Sequence, residues 1–348
     1  VLDRSALEGA LFHGDNLAWL SRVAPGSVDL VYLDPPFCSQ RDYEVRFVRE
    51  GGRRRRLGKG ELEGFSDTFV WGEARERDLS TLGAASPAAR RLVEALGDAL
   101  GPSPLVAYLA FMGPRLAEVS RVLGPAGSLF VHVDPGASHV LRLLLDVLLG
   151  PGAFQNEVVW RYRRWPTKAR RFQRMHDTLL YYARDPRAAR TFHALYGYEP
   201  LAESTRRTFG SKRQVADFSS GRRRPGLTDQ ESAGPPLSDV WEIGILPPSG
   251  NERVGYPTQK PEALLERVVR AASSEGDLVL DPFAGSGTTL AVAARLGRRF
   301  AGIDASEHAI ALADERLRKL GQAPRLVRQA APRAPARDAN EAALPVPA

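Results

Sequence analysis

Cysteine is nearly absent: Cys38 is the one thiol in 348 residues, beside two methionines. One thiol excludes an internal disulfide framework and suits a reducing compartment. No apolar stretch approaches the roughly 20 residues that a membrane helix needs. The opening residues, "VLDRSALEGALFHGDNL", lack a basic-then-apolar export pattern. A soluble cytoplasmic protein, away from the membrane, is the expectation. No internal repeat is present.

What the chain does have is core-forming residues and positive charge. A hydrophobic fraction of 43% supports one large domain, or a core carrying an insertion. The formal charge is +7 and the isoelectric point about 9.7, which suits a polyanionic partner. Residues 160 to 224 hold 17 Lys and Arg against 5 Asp and Glu, a net of +12, so the rest of the chain is net −5. Aromatic residues interleave with these cations in "WRYRRWPTKARRFQRMHDTLLYYAR", a mixture that fits phosphate neutralisation plus base stacking. A second basic run, Arg53 to Arg56, lies in a Gly-rich stretch and reads equally as a solvated loop.

Hydrophobic periodicity divides the chain. Two β runs, "ALFHGD" and "VDLVYLD", flank a helix within residues 1–37, and ordered segments return at 104–160. Residues 38–103 have weak periodicity and read as an insertion. Residues 161–252 form the basic region, with some core strands. Residues 253–322 alternate helix and strand, with Pro261 in the first turn of the helix "KPEALLERVVRAAS". The Ala/Pro/Arg-rich residues 323–348 read as a disordered tail. Alternating strands and helices predict a doubly wound, mostly parallel α/β sheet of the Rossmann-like type.

"LVLDPFAGSGTTLAV" runs strand, glycine turn, helix. Gly285 and Gly287 let backbone approach a ligand at a helix N-terminus. A phosphate-binding loop requires Gly-Lys-Ser/Thr, but Thr288 and Thr289 follow Gly287. A dinucleotide fingerprint requires a third glycine, where Leu290 stands. Asp281 at the strand end opposes a pyrophosphate and suits a cationic amino-acid group. Asp304, ending the next strand, can accept hydrogen bonds from a ribose diol. S-adenosylmethionine has the matching ammonium, sulfonium and ribose, and no phosphate.

"DPFAGSGTT" closely resembles the cofactor motif of DNA amino-methyltransferases, and "DPPF" at residues 34–37 resembles their catalytic turn. The chemistry accounts for the residue types. An exocyclic amine is a poor nucleophile because its lone pair is delocalised into the base. Hydrogen bonds from its N–H groups to the Asp34 carboxylate and the Pro35 carbonyl raise electron density on nitrogen. Pro35 and Pro36 stiffen the turn. Phe37 can stack on a base swung out of the duplex. Transfer is then a direct in-line displacement, with no covalent enzyme intermediate and no metal. Methylation at cytosine C5 does use a thiolate, but in that family's pattern Pro directly precedes Cys, whereas Phe37 precedes Cys38 here. Cys38 therefore reads as a bystander.

The resemblance covers roughly residues 10 to 37, 105 to 185 and 238 to 320. It implies Asp15 near the cofactor adenine, and Thr258, Gln259 and Lys260 at the methionine end. It also places Asp281, Pro282, Phe283, Gly285, Gly287, Thr288 and Asp304 around the cofactor. "FVHVDP" and "RMHDTLLYY" resemble framework segments, where Asp134, His176 and Asp177 read equally as structural or functional. The catalytic turn precedes the cofactor turn, which is the circularly permuted order of the beta class. The basic segment between them would be an inserted target-recognition region. Arg161, Arg163, Arg164, Trp165, Lys168, Arg170 and Arg171, with Trp160 and Tyr162, are its candidate contacts to phosphates and base edges of duplex DNA. A homodimer and a cognate restriction endonuclease are further partners that the family allows. N6 of adenine is the favoured target. N4 of cytosine, an RNA-base amine, or a nucleic-acid-binding module without activity stay open.

Overall fold

The computed structural model describes residues 1–36, 42–44, 47–50, 53–56, 64–66, 68–166, 168, 170–217, 224–247 and 250–329. Phe37 and Cys38 lie outside the described residues. The centre is a nine-stranded sheet. Its strands are β1 (Ala10–His13), β2 (Val28–Leu33), β3 (Leu123–Val133), β4 (Phe154–Arg161), β5 (His176–Ala183), β6 (Val240–Glu242), β7 (Leu278–Asp281), β8 (Arg299–Asp304) and β9 (Arg325–Arg328). The order across the sheet is β6-β4-β5-β3-β2-β7-β8-β1-β9. Within it, β5 runs antiparallel to its neighbours β3 and β4 and all other pairings are parallel.

Strands β2 and β7 come from opposite ends of the chain, yet they pair directly, Leu30 beside Val279 and Val31 beside Leu280. The turns that follow them therefore emerge side by side at the carboxyl edge, where α/β sheets bind ligands. Adjacent strands β3, β2, β7, β8 and β1 deliver Asp134, Asp34, Asp281, Asp304 and Asp15 to that edge in turn.

Helices cover both faces. Beside the short helices Arg4–Leu7 and Glu203–Phe209, the labelled helices are α1 (Asn16–Leu20), α2 (Glu73–Ala85), α3 (Pro87–Leu100), α4 (Pro104–Val122), α5 (Ser138–Leu149), α6 (Glu262–Ala272), α7 (Thr288–Arg295) and α8 (Glu307–Lys319). Strand alternation divides the core. Val31 and Leu33 of β2 join α1 to α5 on one face, whereas Leu30 and Tyr32 join α6 to α8 on the other.

The structure revises five expectations. Residues 38–103 contain two regular helices, and Leu79, Leu82 and Val93 from them enter the main core. Leu82 packs so closely on Gly113 of α4 that a Cβ there would lie 2.5 Å from it. Arg53–Arg56 is a strand paired with Phe47–Glu50 in a hairpin. Residues 325–328, read as tail, add strand β9 to the edge beside β1. Trp160 and Tyr162, read as nucleic-acid contacts, are 3% and 4% exposed. Both lie on or just after β4 with the parity of Val158, which faces the core. Pro261 is the N-cap of α6, one residue before the expected first turn.

Candidate active site

A cavity of about 390 Å³ opens at the carboxyl edge of β2, β7 and β8. Asp15, Asp34, Pro35, Pro36, Thr258, Gln259, Lys260, Asp281, Pro282, Phe283, Gly285, Thr288 and Asp304 line it, so most of the expected residues meet there. Gly287 lies just beneath as the left-handed N-cap of α7 (φ 72°); a Cβ there would lie 2.7 Å from Ala313 of α8. At Gly285 (φ 49°) a Cβ would come 3.1 Å from the ring of Tyr256. Glycine is thus required twice, for conformation and for space.

The acids near the glycine turn are held mainly by backbone. Asp304 Oδ2 accepts from the Gly285 N–H at 2.8 Å, and Oδ1 accepts from the Ser306 N–H at 2.8 Å. Burial still raises its pKa. Asp281 accepts from the Phe283 N–H at 3.0 Å. Burial is the main cause that pushes its carboxyl up to about 7; the Thr289 hydroxyl and the Phe283 N–H pull the other way, while Asp34 and Asp304 add to the rise. Asp15 caps α1 through the Ala18 N–H and also accepts from Arg115 Nη2 at 2.8 Å. The buried Arg115 donates through Nε to Asn16 Oδ1 at 2.8 Å, and Asn16 Nδ2 donates to the Pro282 carbonyl at 2.9 Å. Asp78 of α2 lies 3.5 Å from Arg115 Nη1, so the inserted helix braces the cavity wall.

The catalytic turn is held differently. Lys260 Nζ donates to Asp34 Oδ1 at 2.6 Å and Oδ2 at 2.5 Å. The expected position at the methionine end of a cofactor is therefore refined: Lys260 lines the cavity, but its ammonium rests on Asp34. Gln259 likewise spends its amide on the preceding loop, accepting from the Val254 N–H and donating to the Glu252 carbonyl. Thr288 accepts from the buried Arg316 at 3.0 Å.

Behind Asp34 sits His132, fully buried on β3. Its Nδ1 is 2.8 Å from the Tyr32 hydroxyl and 3.7 Å from Asp34 Oδ1. Its Nε2 is 3.4 Å from Asp177 Oδ2 on β5, and the Tyr162 hydroxyl donates to Asp177 Oδ1 at 3.0 Å. Burial pushes the Asp177 pKa up, but His132, Lys260 and Tyr162 outweigh it and the net shift is downward. Asp134 instead caps the turn before α5, accepting from the Gly136 N–H at 2.9 Å, with Arg174 at 3.3 Å.

Residues 162–175 link β4 to β5 beside this cluster. Arg163, Arg164, Lys168, Arg170 and Arg171 are exposed, and Trp165 and Phe172 are 91% and 100% exposed. Arg161 is paired with Glu242, and the Arg164 guanidinium lies 4.8 Å from the centre of the Tyr162 ring. The cavity also includes Asn16, Tyr32, Phe111, Tyr256, Ser286 and Ser306, which sequence reasoning did not single out. Asn16 and Tyr256 stood next to quoted motif residues. Phe111, inside a helical pattern, gave no such signal.

The family model for DNA methylase (N6_N4_Mtase) matches residues 28–315. The chain belongs to this DNA methylase family. It is 27% identical to the DNA adenine methyltransferase YhdJ of Escherichia coli K12 over 88% of this chain and 82% of that one. It is 32% identical to the Type II methyltransferase M.HpaI of Haemophilus parainfluenzae over 60% of this chain, and the match spans 59% of that enzyme's length. The cytosine-N4-specific PvuII DNA methyltransferase superposes over 89% of this chain and 86% of its own, with a TM-score of 0.48 and 17% identity. The cavity has a donor set suited to S-adenosylmethionine: four carboxylates and one lysine line it, with no arginine among the described lining residues. No described helix is long and apolar enough to cross a membrane.

Proposed function

We propose that this DNA methylase methylates the N6 amine of adenine in duplex DNA. The observation that carries the reading is the pairing of β2 with β7, which sets an amine clamp at Asp34-Pro35 beside a carboxylate-lined cavity at Asp281-Asp304. S-adenosylmethionine, when bound, supplies an electrophilic methyl group. Asp281, buried at the end of β7, would pair with its cationic amino-acid end. Asp304 and Asp15 take its ribose and adenine side, and Gly285, Gly287, Thr288, Pro282, Phe283 and Thr258 shape the wall. Asp34 and the Pro35 carbonyl would accept the two hydrogens of the target amine, which raises electron density on its nitrogen. Pro36 fixes the turn, and Phe37 stacks on the flipped base.

The relative named a DNA adenine methyltransferase matches over most of this chain, which supports adenine as the target. Relatives named Type II methyltransferases support a nuclease partner that reads the same sequence. The exposed cations of residues 162–175 and Trp165 contact the duplex around the target, with phosphates as the main sites.

The test is label transfer from radioactive S-adenosylmethionine to unmethylated duplex DNA, followed by digestion to nucleosides. Labelled N6-methyladenine is expected. Labelled N4-methylcytosine would move the target, and label in structured RNA alone would move the substrate class. No labelled nucleoside would overturn the proposal.

A further inference from the structure

The amine gains a bond to carbon during methylation and must lose an N–H proton. Asp34 is the nearest base, but it faces a cavity that the target base fills. The structure shows a buried group behind it that water does not reach. His132 is 0% exposed and spans Asp34 and Asp177 with its two ring nitrogens.

The tautomer follows from its neighbours. Burial, with Asp34, Asp281 and Asp177 nearby, pushes the Tyr32 phenol well above its ordinary pKa, so Tyr32 keeps its proton. Nε2 lies 3.4 Å from an acceptor, the Asp177 carboxylate, so a ring hydrogen there leaves Nδ1 to accept from the Tyr32 hydroxyl. Among the described residues, the neighbours of His132 come from three strands. Strand β2 contributes Tyr32 and Asp34, β5 contributes Asp177, and β4 contributes the edge of Trp160 at 5.5 Å between ring centres. Tyr162 and Lys260 complete the set through Asp177 and Asp34.

We infer that His132 receives, through Asp34, the proton that the amine sheds, and holds it as an imidazolium between two carboxylates until the methylated base leaves. This rests on the amine-methylation reading above. The steps balance. As the C–N bond would form, the donor's methyl C–S bond would break to leave a neutral thioether, the amine N–H would break and its proton would join an Asp34 oxygen. That O–H then breaks as Nδ1–H forms, and the Tyr32 hydroxyl turns to accept. When the cavity refills with water, the proton returns through Asp34 to solvent. Asp177 balances the charge on the far side, held by the Tyr162 hydroxyl at the root of the basic loop. His132 touches no substrate and acts through Asp34.

The test compares the wild type with His132→Gln, which keeps polarity but cannot carry the proton, in single-turnover transfer to duplex DNA from about pH 5.5 to 9. The wild-type rate is expected to fall on acidification, since the amine must shed a proton. The variant is expected to lose this limb and about 100-fold in rate, with calorimetric affinity for S-adenosylmethionine within about 2-fold of wild type. Wild-type rate and pH profile in His132→Gln would overturn the relay. If that variant does not fold, Asp177→Asn decides: it still accepts from Tyr162 but cannot balance an imidazolium, so an unchanged rate and profile there would overturn it equally. Wild-type transfer to DNA keeps the two readings apart. Its absence counts against the reaction, and its presence with an unaltered variant counts against the relay alone.

Discussion

The two sides of the cavity hold their carboxylates by different means. On the glycine-turn side, Asp304, Asp281 and Asp15 accept from backbone N–H groups within or beside their own turns, and only Asp15 of the three is also ion-paired to a remote side chain among the described residues, Arg115. On the catalytic side, the described partners of Asp34 are side chains from remote segments, Lys260 and, farther off, His132. Backbone donors are fixed by the fold and cannot change protonation. Side-chain partners can rotate, exchange and titrate. The first side is thus built as a rigid socket, and the second as a place where hydrogen bonds and protons change hands during a reaction.

The largest expected effect breaks the catalytic side alone. Asp34→Asn keeps the size of the side chain but weakens its hold on the amine and removes its capacity to take a proton. Methyl transfer in a single turnover should fall by about 10³-fold. Calorimetric affinity for S-adenosylmethionine should stay within about 3-fold, because the socket is framed by other strands. Equal losses in both measurements would show that the two sides are one unit.

The socket side is predicted to respond to pH in the opposite sense from stability. The Asp281 carboxyl rises from 3.8 to about 7 on folding. The folded chain therefore binds this proton more tightly than the unfolded chain, and stability falls as pH rises through that window. A cationic ligand prefers the ionised form, so affinity for S-adenosylmethionine should rise with pH up to about 7 and then level off. Asp281→Asn should flatten that dependence and weaken affinity by about 10- to 100-fold. At pH 8 it should also raise the melting temperature, since a buried charge is gone. A variant that loses affinity but keeps the wild-type pH dependence would assign the titration to another group.

The same contrast explains what the sequence disclosed. The socket is local: Asp281, Gly285 and Gly287 lie within one strand-turn-helix unit, and the missing lysine and third glycine narrowed its ligand. The mostly parallel, doubly wound sheet was legible from alternating strands and helices. Lys260 on Asp34 was not, because that contact joins segments on opposite sides of the basic region. Nor was the relay, although His132 stood inside the strand pattern "FVHVD", where a buried polar residue needs a partner. Strands β3 and β5 become neighbours only in the folded sheet, so nothing local names Asp177 as that partner. The helices α2 and α3 escaped for a related reason. Their surroundings are rich in Gly, Arg and acids, and the apolar positions Leu79, Leu82 and Val93 acquire meaning only against α4.

The smallest effect sharpens the boundary between the cavity and the loop of residues 162–175. Lys168 is exposed there, whereas Arg161, at the end of β4, is paired with Glu242. A cation that neutralises one phosphate contributes about 0.9 to the slope of log affinity against log salt. Lys168→Ala should lower that slope by about this amount and leave single-turnover transfer at saturating DNA unchanged, because the substitution lies outside the cavity. Arg161→Ala should change the slope less, since its charge is already partly balanced by Glu242 and an exposed pair of this kind is worth little to stability. Equal slopes for the two variants would mean that the loop meets DNA through Arg161 after exchange of its partner, and would extend the interface onto the end of β4.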